Sequence, residues 1–173
     1  MKLLIGLGNP GGKYAQTRHN VGFMALDRLG QTLAIAFKEE LCFSLVVRGT
    51  AECGDVMLAK PQTFMNLSGT AVAALMKKFS VKLEDIVVMH DDIDVPLGKV
   101  REKVGGGSAG HNGISSIAEK LGTPEFRRIR IGVGRPPEWM EAADYVLSPF
   151  EENELSVMAR AIDDACKRAL VFG

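Results

Sequence analysis

Short apolar strands alternate with amphipathic helices along this chain, and that alternation most restricts the fold open to it. Lys2–Gly8 reads as a strand that runs straight into glycine and proline punctuation. Asn20–Ala36 predicts a helix, with Asn20 as its N-cap and Val21, Met24, Ala25, Leu29 and Leu33 on one face. Cys42–Thr50 and Asp55–Lys60 form an expected hairpin, and Leu67–Phe79 a second helix. Asp85–His90 is apolar without alternation, as a strand covered on both faces must be. Leu97–Lys103 is a more polar strand, Gly105–Gly113 a glycine-rich loop, Ile114–Leu121 a helix and Phe126–Val133 a strand. Ser148-Pro149-Phe150-Glu151 has the form of a capping box and predicts a long helix from there to about Val171.

Strand–helix alternation argues for an α/β fold: a three-layer α/β/α single domain over residues 1–173, with a twisted mixed sheet and helices on both faces. The length suits one domain with a sizeable core. Nothing resembles a signal peptide or a membrane span, which points to a cytoplasmic protein. The three cysteines, Cys42, Cys53 and Cys166, have no CxxC spacing, fit a reducing compartment, and are expected as small buried apolar residues.

The net charge is zero, but its distribution is uneven. Residues 99–135 carry eight basic and three acidic side chains, net +5, and residues 136–173 carry net −5. A basic block on a neutral protein either steers a polyanion to one face or is a solvated surface.

In open α/β sheets, sites lie beyond the carboxyl ends of the strands. The loops after Gly8, Lys60, His90 and Lys103 are therefore where chemistry is expected. Gly6-Leu7-Gly8-Asn9-Pro10-Gly11 matches a dinucleotide fingerprint, but the next helix starts too late to receive a pyrophosphate, and Asp27 falls inside that helix. Gly12-Lys13-Tyr14 lacks the hydroxyl of a P-loop. His90-Asp91-Asp92-Ile93-Asp94 offers metal-ligand types, yet strand alternation sends Asp91 to the face opposite His90 and Asp92. The reading preferred is no metal, with one carboxylate orienting a histidine elsewhere. Asn66 either caps the second helix or lines a groove with Phe64 and Met65.

These segments together resemble the bacterial peptidyl-tRNA hydrolases. The resemblance rests on Gly6–Gly11, on Tyr14–Asn20 with Gly22, on Lys60–Gly69, on His90–Asp94, on Gly105–Gly113 and on Arg128–Pro136. It implies a monomeric, cofactor-free esterase that cleaves peptidyl-tRNA. It implies a catalytic pair of His19 and Asp91, with Asn9, Asn66 and Asn112 lining the site and Tyr14, Phe64 and Met65 beside them on the substrate side. It implies that Lys103 and Arg130 grip tRNA phosphate. No GxSxG elbow is present and no cysteine lies in a site loop, so His19 is expected to activate water directly, with Asp91 orienting it and Asn112 holding water or oxyanion. Ser115 stands where many members carry Lys or Arg, and many members run past the position of Gly173. Chloroplast splicing factors share the resemblance; an RNA-binding module of that kind would lack the His19 and Asp91 pair.

Overall fold

The computed structural model describes residues 1–172. Seven strands form one sheet in the order β2-β3-β4-β1-β5-β7-β6, where β1 is Lys2–Gly6, β2 Glu39–Leu41, β3 Ser44–Ala51, β4 Gly54–Pro61, β5 Ile86–Asp92, β6 Val100–Val104 and β7 Arg127–Gly132. The four central strands β4, β1, β5 and β7 are parallel. β3 with β2 on one side, and β6 on the other, add antiparallel edges. The expected mixed three-layer fold is what forms.

Among the described residues, α1 (Val21–Thr32), α2 (Ser68–Phe79), α3 (Asn112–Leu121) and α5 (Leu155–Val171) cover the sheet, and the short α4 (Ala142–Val146) packs against the turn before α1. Alternation in the buried strands sorts the core into two layers. Leu4, Leu58, Val87, Met89 and Ile131 pack with Ala25, Leu29, Met158 and Ala165 of α1 and α5. Leu3, Ile5, Met57, Ile86 and Val88 pack with Val72, Leu75, Ile114 and Ile117 of α2 and α3. β5 feeds both layers, which is why its sequence is apolar without a break from Ile86 to Met89. Among the described residues no helix is long and apolar enough to cross a membrane.

Several boundaries differ from the sequence expectation. Strand β1 stops at Gly6. Helix α1 ends at Thr32, because Ala34 turns to a left-handed φ of 55° and Ile35 returns its N–H to Gly30. Asn20 makes no side-chain cap; its amide is used on the backbone of Asn9. The box expected at Ser148–Glu151 is displaced to Glu151 and Glu154, and α5 starts at Leu155. Ser148 instead accepts the Arg18 backbone N–H on its carbonyl. Strand β2 and helix α4 carry too little periodicity to be seen beforehand. Of the cysteines, Cys166 is buried, Cys42 half-buried, and Cys53 exposed in the β3–β4 turn.

Gly6, at the end of β1, and Gly22, in α1, serve packing. A β-carbon on Gly6 would overlap the Gly22 carbonyl, and one on Gly22 would overlap backbone of Met89 and Leu7. This close approach seats the start of α1 on the carboxyl ends of β1 and β5. It accounts for Gly6, the first glycine of the fingerprint-like run, without a nucleotide. A β-carbon on Gly12 meets nothing within 4 Å. Gly6→Ala should therefore cost about 3 kcal/mol of folding stability, as overpacking against unyielding backbone does, while Gly12→Ala stays within about 0.5 kcal/mol; urea unfolding of both variants measures the difference.

Candidate active site

The parallel strands direct their carboxyl ends to one edge of the sheet. β1 stands between β4 and β5, with the chain leaving through α1 to one side and through α2 to the other. At this switch point a crevice opens. Its volume is about 450 Å³, and Asn9, His19, Met65, Asp91 and Asn112 line it, with Ala142 and Leu147 on the α4 side.

Asp91 is the penultimate residue of β5 and is 2 % exposed. Two imidazoles meet it. His19 comes from the short 3₁₀ turn Arg18–Asn20 ahead of α1, with Nδ1 at 2.9 Å from Oδ2. His111 arrives from the opposite layer, with Nε2 at 2.8 Å from Oδ1. Burial alone would push the Asp91 carboxyl up. The His111 and His19 imidazoles outweigh it, by charge and hydrogen bonds, and hold it well below the usual carboxylate range.

The tautomers follow from donor counting. An ionised carboxylate only accepts, so His19 carries its proton on Nδ1 and leaves Nε2 with a lone pair. His111 is the N-cap of α3, and its Nδ1 accepts from the N–H groups of Gly113 at 3.1 Å and Ile114 at 3.3 Å. Its proton therefore sits on Nε2 and is donated to Asp91. Ligand atoms of His19, Asp91 and His111 lie within 4.8 Å of one another, a spacing that a divalent ion also uses. With its Nδ1 facing two donors, however, neutral His111 has no lone pair on Nε2 to give a metal.

His90 points to the α3 layer, as alternation requires. Its Nδ1–H donates to the Asp91 carbonyl at 2.7 Å, and its ring meets that of His111 edge-on, centroids 4.9 Å apart. Burial first, and then the neighbouring His111, lower its pKa to about 3.

Asn9 is fixed by three bonds. Its N–H donates to Asn20 Oδ1 and its carbonyl accepts from Asn20 Nδ2, both at 2.9 Å. Its Oδ1 accepts the Met65 N–H at 2.8 Å. The Asn9 NH₂ is thus left as a preset donor at the pocket. Asn66 does not cap α2, whose N-cap is Leu67, and together with exposed Asn112 and Phe64 it lines the same pocket. Tyr14 is half-buried and is not among the pocket residues.

Lys103 and Arg130 also lie outside the pocket. Strand register pairs Lys103 with Arg128 and Arg101 with Arg130, so all four cations share the α3-side face of β6 and β7. Arg130 also faces Asp92 at 3.6 Å. Of the basic block, Arg101, Lys103 and Arg130 therefore share one face, whereas Arg128 is buried beneath it, Arg127 turns to the α5 side and Arg135 pairs with Asp94.

Three residues of the site escaped the sequence reading. His111 was visible as the residue before a helix, but the expected start at Ile114 hid its capping position. Arg18 is buried between the rings of Tyr145 and Phe150 and pairs with Glu154 at 2.7 Å. It ties the α4 wall to the His19 turn. Among the described residues Arg128 has no carboxylate hydrogen-bond partner, and it instead holds backbone of the glycine loop. That loop was expected beyond a strand's carboxyl end on the site side. β6 runs antiparallel, so its end lies at the far edge, and the loop climbs back across β7.

Fold and site define an α/β protein of the doubly wound kind, with a carboxylate-held histidine facing a crevice lined by amides. Its sequence matches the family model described as peptidyl-tRNA hydrolase over residues 3–172. The chain belongs to the peptidyl-tRNA hydrolase family. A relative named peptidyl-tRNA hydrolase from Dehalococcoides mccartyi is 45% identical over 179 residues, covering 100% of this chain and 95% of the relative. One from Geobacillus thermodenitrificans is 44% identical over 98% of this chain and 93% of its own. The crystal structure of peptidyl-tRNA hydrolase from Acinetobacter baumannii superposes with a TM-score of 0.91 at 39% identity, over 98% of this chain and 86% of that one.

The neutral burial of His90 has a measurable consequence. Its folded pKa of about 3 lies below the ordinary 6.5, so the unfolded chain binds a proton that the native state does not. Stability is full above about pH 6.5 and declines as pH falls toward about 3, by up to ~1.4 kcal/mol per pH unit. His90→Asn keeps a donor for the Asp91 carbonyl without titrating. Urea unfolding across this window should show a shallower decline for His90→Asn than for the parent protein, and equal slopes would remove His90 as the cause.

Proposed function

We propose that this protein hydrolyses the ester between a peptide and the 3′-terminal ribose of peptidyl-tRNA. The observation that carries the reading is the His19–Asp91 pair facing the crevice, in a chain of the peptidyl-tRNA hydrolase family. His19 Nε2 takes a proton from water, and the water oxygen attacks the ester carbonyl. Asp91 holds His19 in the required tautomer and stabilises the imidazolium that forms. The preset NH₂ of Asn9 donates to the carbonyl oxygen as it gains charge, and Asn112 holds the attacking water or the resulting oxyanion. Return of the proton to the ribose oxygen releases tRNA and peptide.

The substrate's peptide part is read through its main chain, by the amides of Asn9 and Asn66, with Phe64 and Met65 as apolar walls. The tRNA part is read as charge and shape by Lys103 and Arg130 on the basic face. The same reading places the protein in the cytoplasm as a monomer that needs no metal. An RNA-binding module without hydrolysis fits less well, because such a module has no use for a tautomer-fixed histidine in a crevice.

Hydrolysis of peptidyl-tRNA, followed with and without chelator, tests the reading. Turnover should survive chelation and fall at least about 10²-fold in His19→Ala. Arg130→Ala should weaken binding of full tRNA substrate and flatten its salt dependence by about one charge, with little effect on a mimic holding only the terminal nucleotide and peptide. A peptide trapped covalently on the enzyme, or a metal requirement, would contradict the mechanism.

A further inference from the structure

Arg128 is the largest fully buried side chain among the described residues, at 2 % exposure. β7 alternation turns it away from Ile129 and into the α3 layer. Buried arginines ordinarily pair with a carboxylate, since an unpaired charge in the interior is costly. Here the guanidinium donates only to carbonyls: Nη1 to Gly107 at 2.8 Å, Nη2 to Gly106 and to Pro124, each at 2.9 Å. Its Nε is buried without a partner among the described residues. Burial shifts its pKa down, only partly offset by the charge of Glu125.

What these carbonyls belong to gives the arrangement its meaning. Gly105, Gly106, Ala109 and Gly110 all have positive φ, between 49° and 84°. A chain so rich in left-handed positions is slack when free, and ordering it is entropically expensive. It starts at the far end of β6, crosses β7, and delivers His111 to Asp91. Arg128 is the second residue of β7, paired with Lys103 next to the end of β6, and grips the loop four and five residues before His111. Beyond that grip the loop is held by its own turn, His111 N–H to Ser108 carbonyl at 3.0 Å, and by the Ser115–Ser108 hydroxyl bond at 2.8 Å.

We propose that Arg128 is a positioning residue for the reaction, acting through the glycine loop to hold His111 against Asp91; this rests on the hydrolytic reading above. The guanidinium clasps the loop, the loop sets the cap of α3, and the cap donates to Asp91. A shift of about 1 Å at a reacting group costs on the order of 10²-fold in rate, so the clasp is read in turnover.

A double-mutant cycle tests this. Arg128→Met keeps the stem and removes the donors; its kcat on peptidyl-tRNA should fall by about 10²-fold. On a His111→Ala background the same change should cost less than about threefold, because the residue it places is gone. Arg128→Lys should recover part of the loss. If Arg128→Met does not fold, Arg128→Lys is carried through the same cycle. Losses that multiply across the two sites, or a full-rate Arg128→Met, would overturn the proposal. Failure of the parent protein to hydrolyse peptidyl-tRNA would sink the functional reading instead. The clasp itself is read independently of hydrolysis by hydrogen exchange at the Gly106–His111 amides. These should exchange faster in Arg128→Met, and unchanged protection would also overturn the proposal.

Discussion

One buried carboxylate organises the site. Asp91 ends a strand that is covered on both faces, and an ionised group there persists only if donors surround it. His19 and His111 supply them from opposite layers of the sandwich. Each contact also decides a tautomer. The proton that His19 gives to Asp91 leaves a lone pair for the crevice, and the proton that His111 gives leaves its other nitrogen to cap α3. One charge therefore fixes a base and anchors a helix at once.

The scaffold explains why these groups arrive together. Close backbone approach at Gly6 and Gly22 seats α1 against β1 and β5, so that the turn before α1 lies beside the end of β5. The reciprocal Asn9–Asn20 amide pairing then locks the loop after β1 to the same turn. Arg18 fastens the α4 wall behind His19, and Arg128 fastens the glycine loop that brings His111. Two buried guanidiniums on opposite sides of the crevice thus carry its walls. The exposed residues Phe64, Asn66 and Asn112 are left free to meet a ligand.

Much of this was legible in the residues alone. Apolar runs marked β1 and β5, helical periodicity marked α1, α2 and α5, and the motif blocks pointed to His19, Asp91 and Asn9. What stayed hidden depends on long-range partners. Asn20 has the composition of a cap, but Asn9, eleven residues away, claims its amide. The Ser148–Glu151 pattern is a valid capping box locally, and Arg18 pulls Ser148 out of it. β2 is three residues long and α4 five, too short for periodicity to register. Arg128 reads as one more cation in a basic strand, and only the antiparallel course of β6 gives it a loop to hold.

The chain contains three histidines, and their proton positions decide whether His19 can act as the base. Long-range ¹H–¹⁵N correlation of histidine-labelled protein, with the rings neutral, distinguishes the two tautomers of each ring. His19 and His90 should show the Nδ1–H form and His111 the Nε2–H form. An Nε2–H signature at His19 would mean that its lone pair points to Asp91 and not to the crevice, and would contradict its assignment as the base.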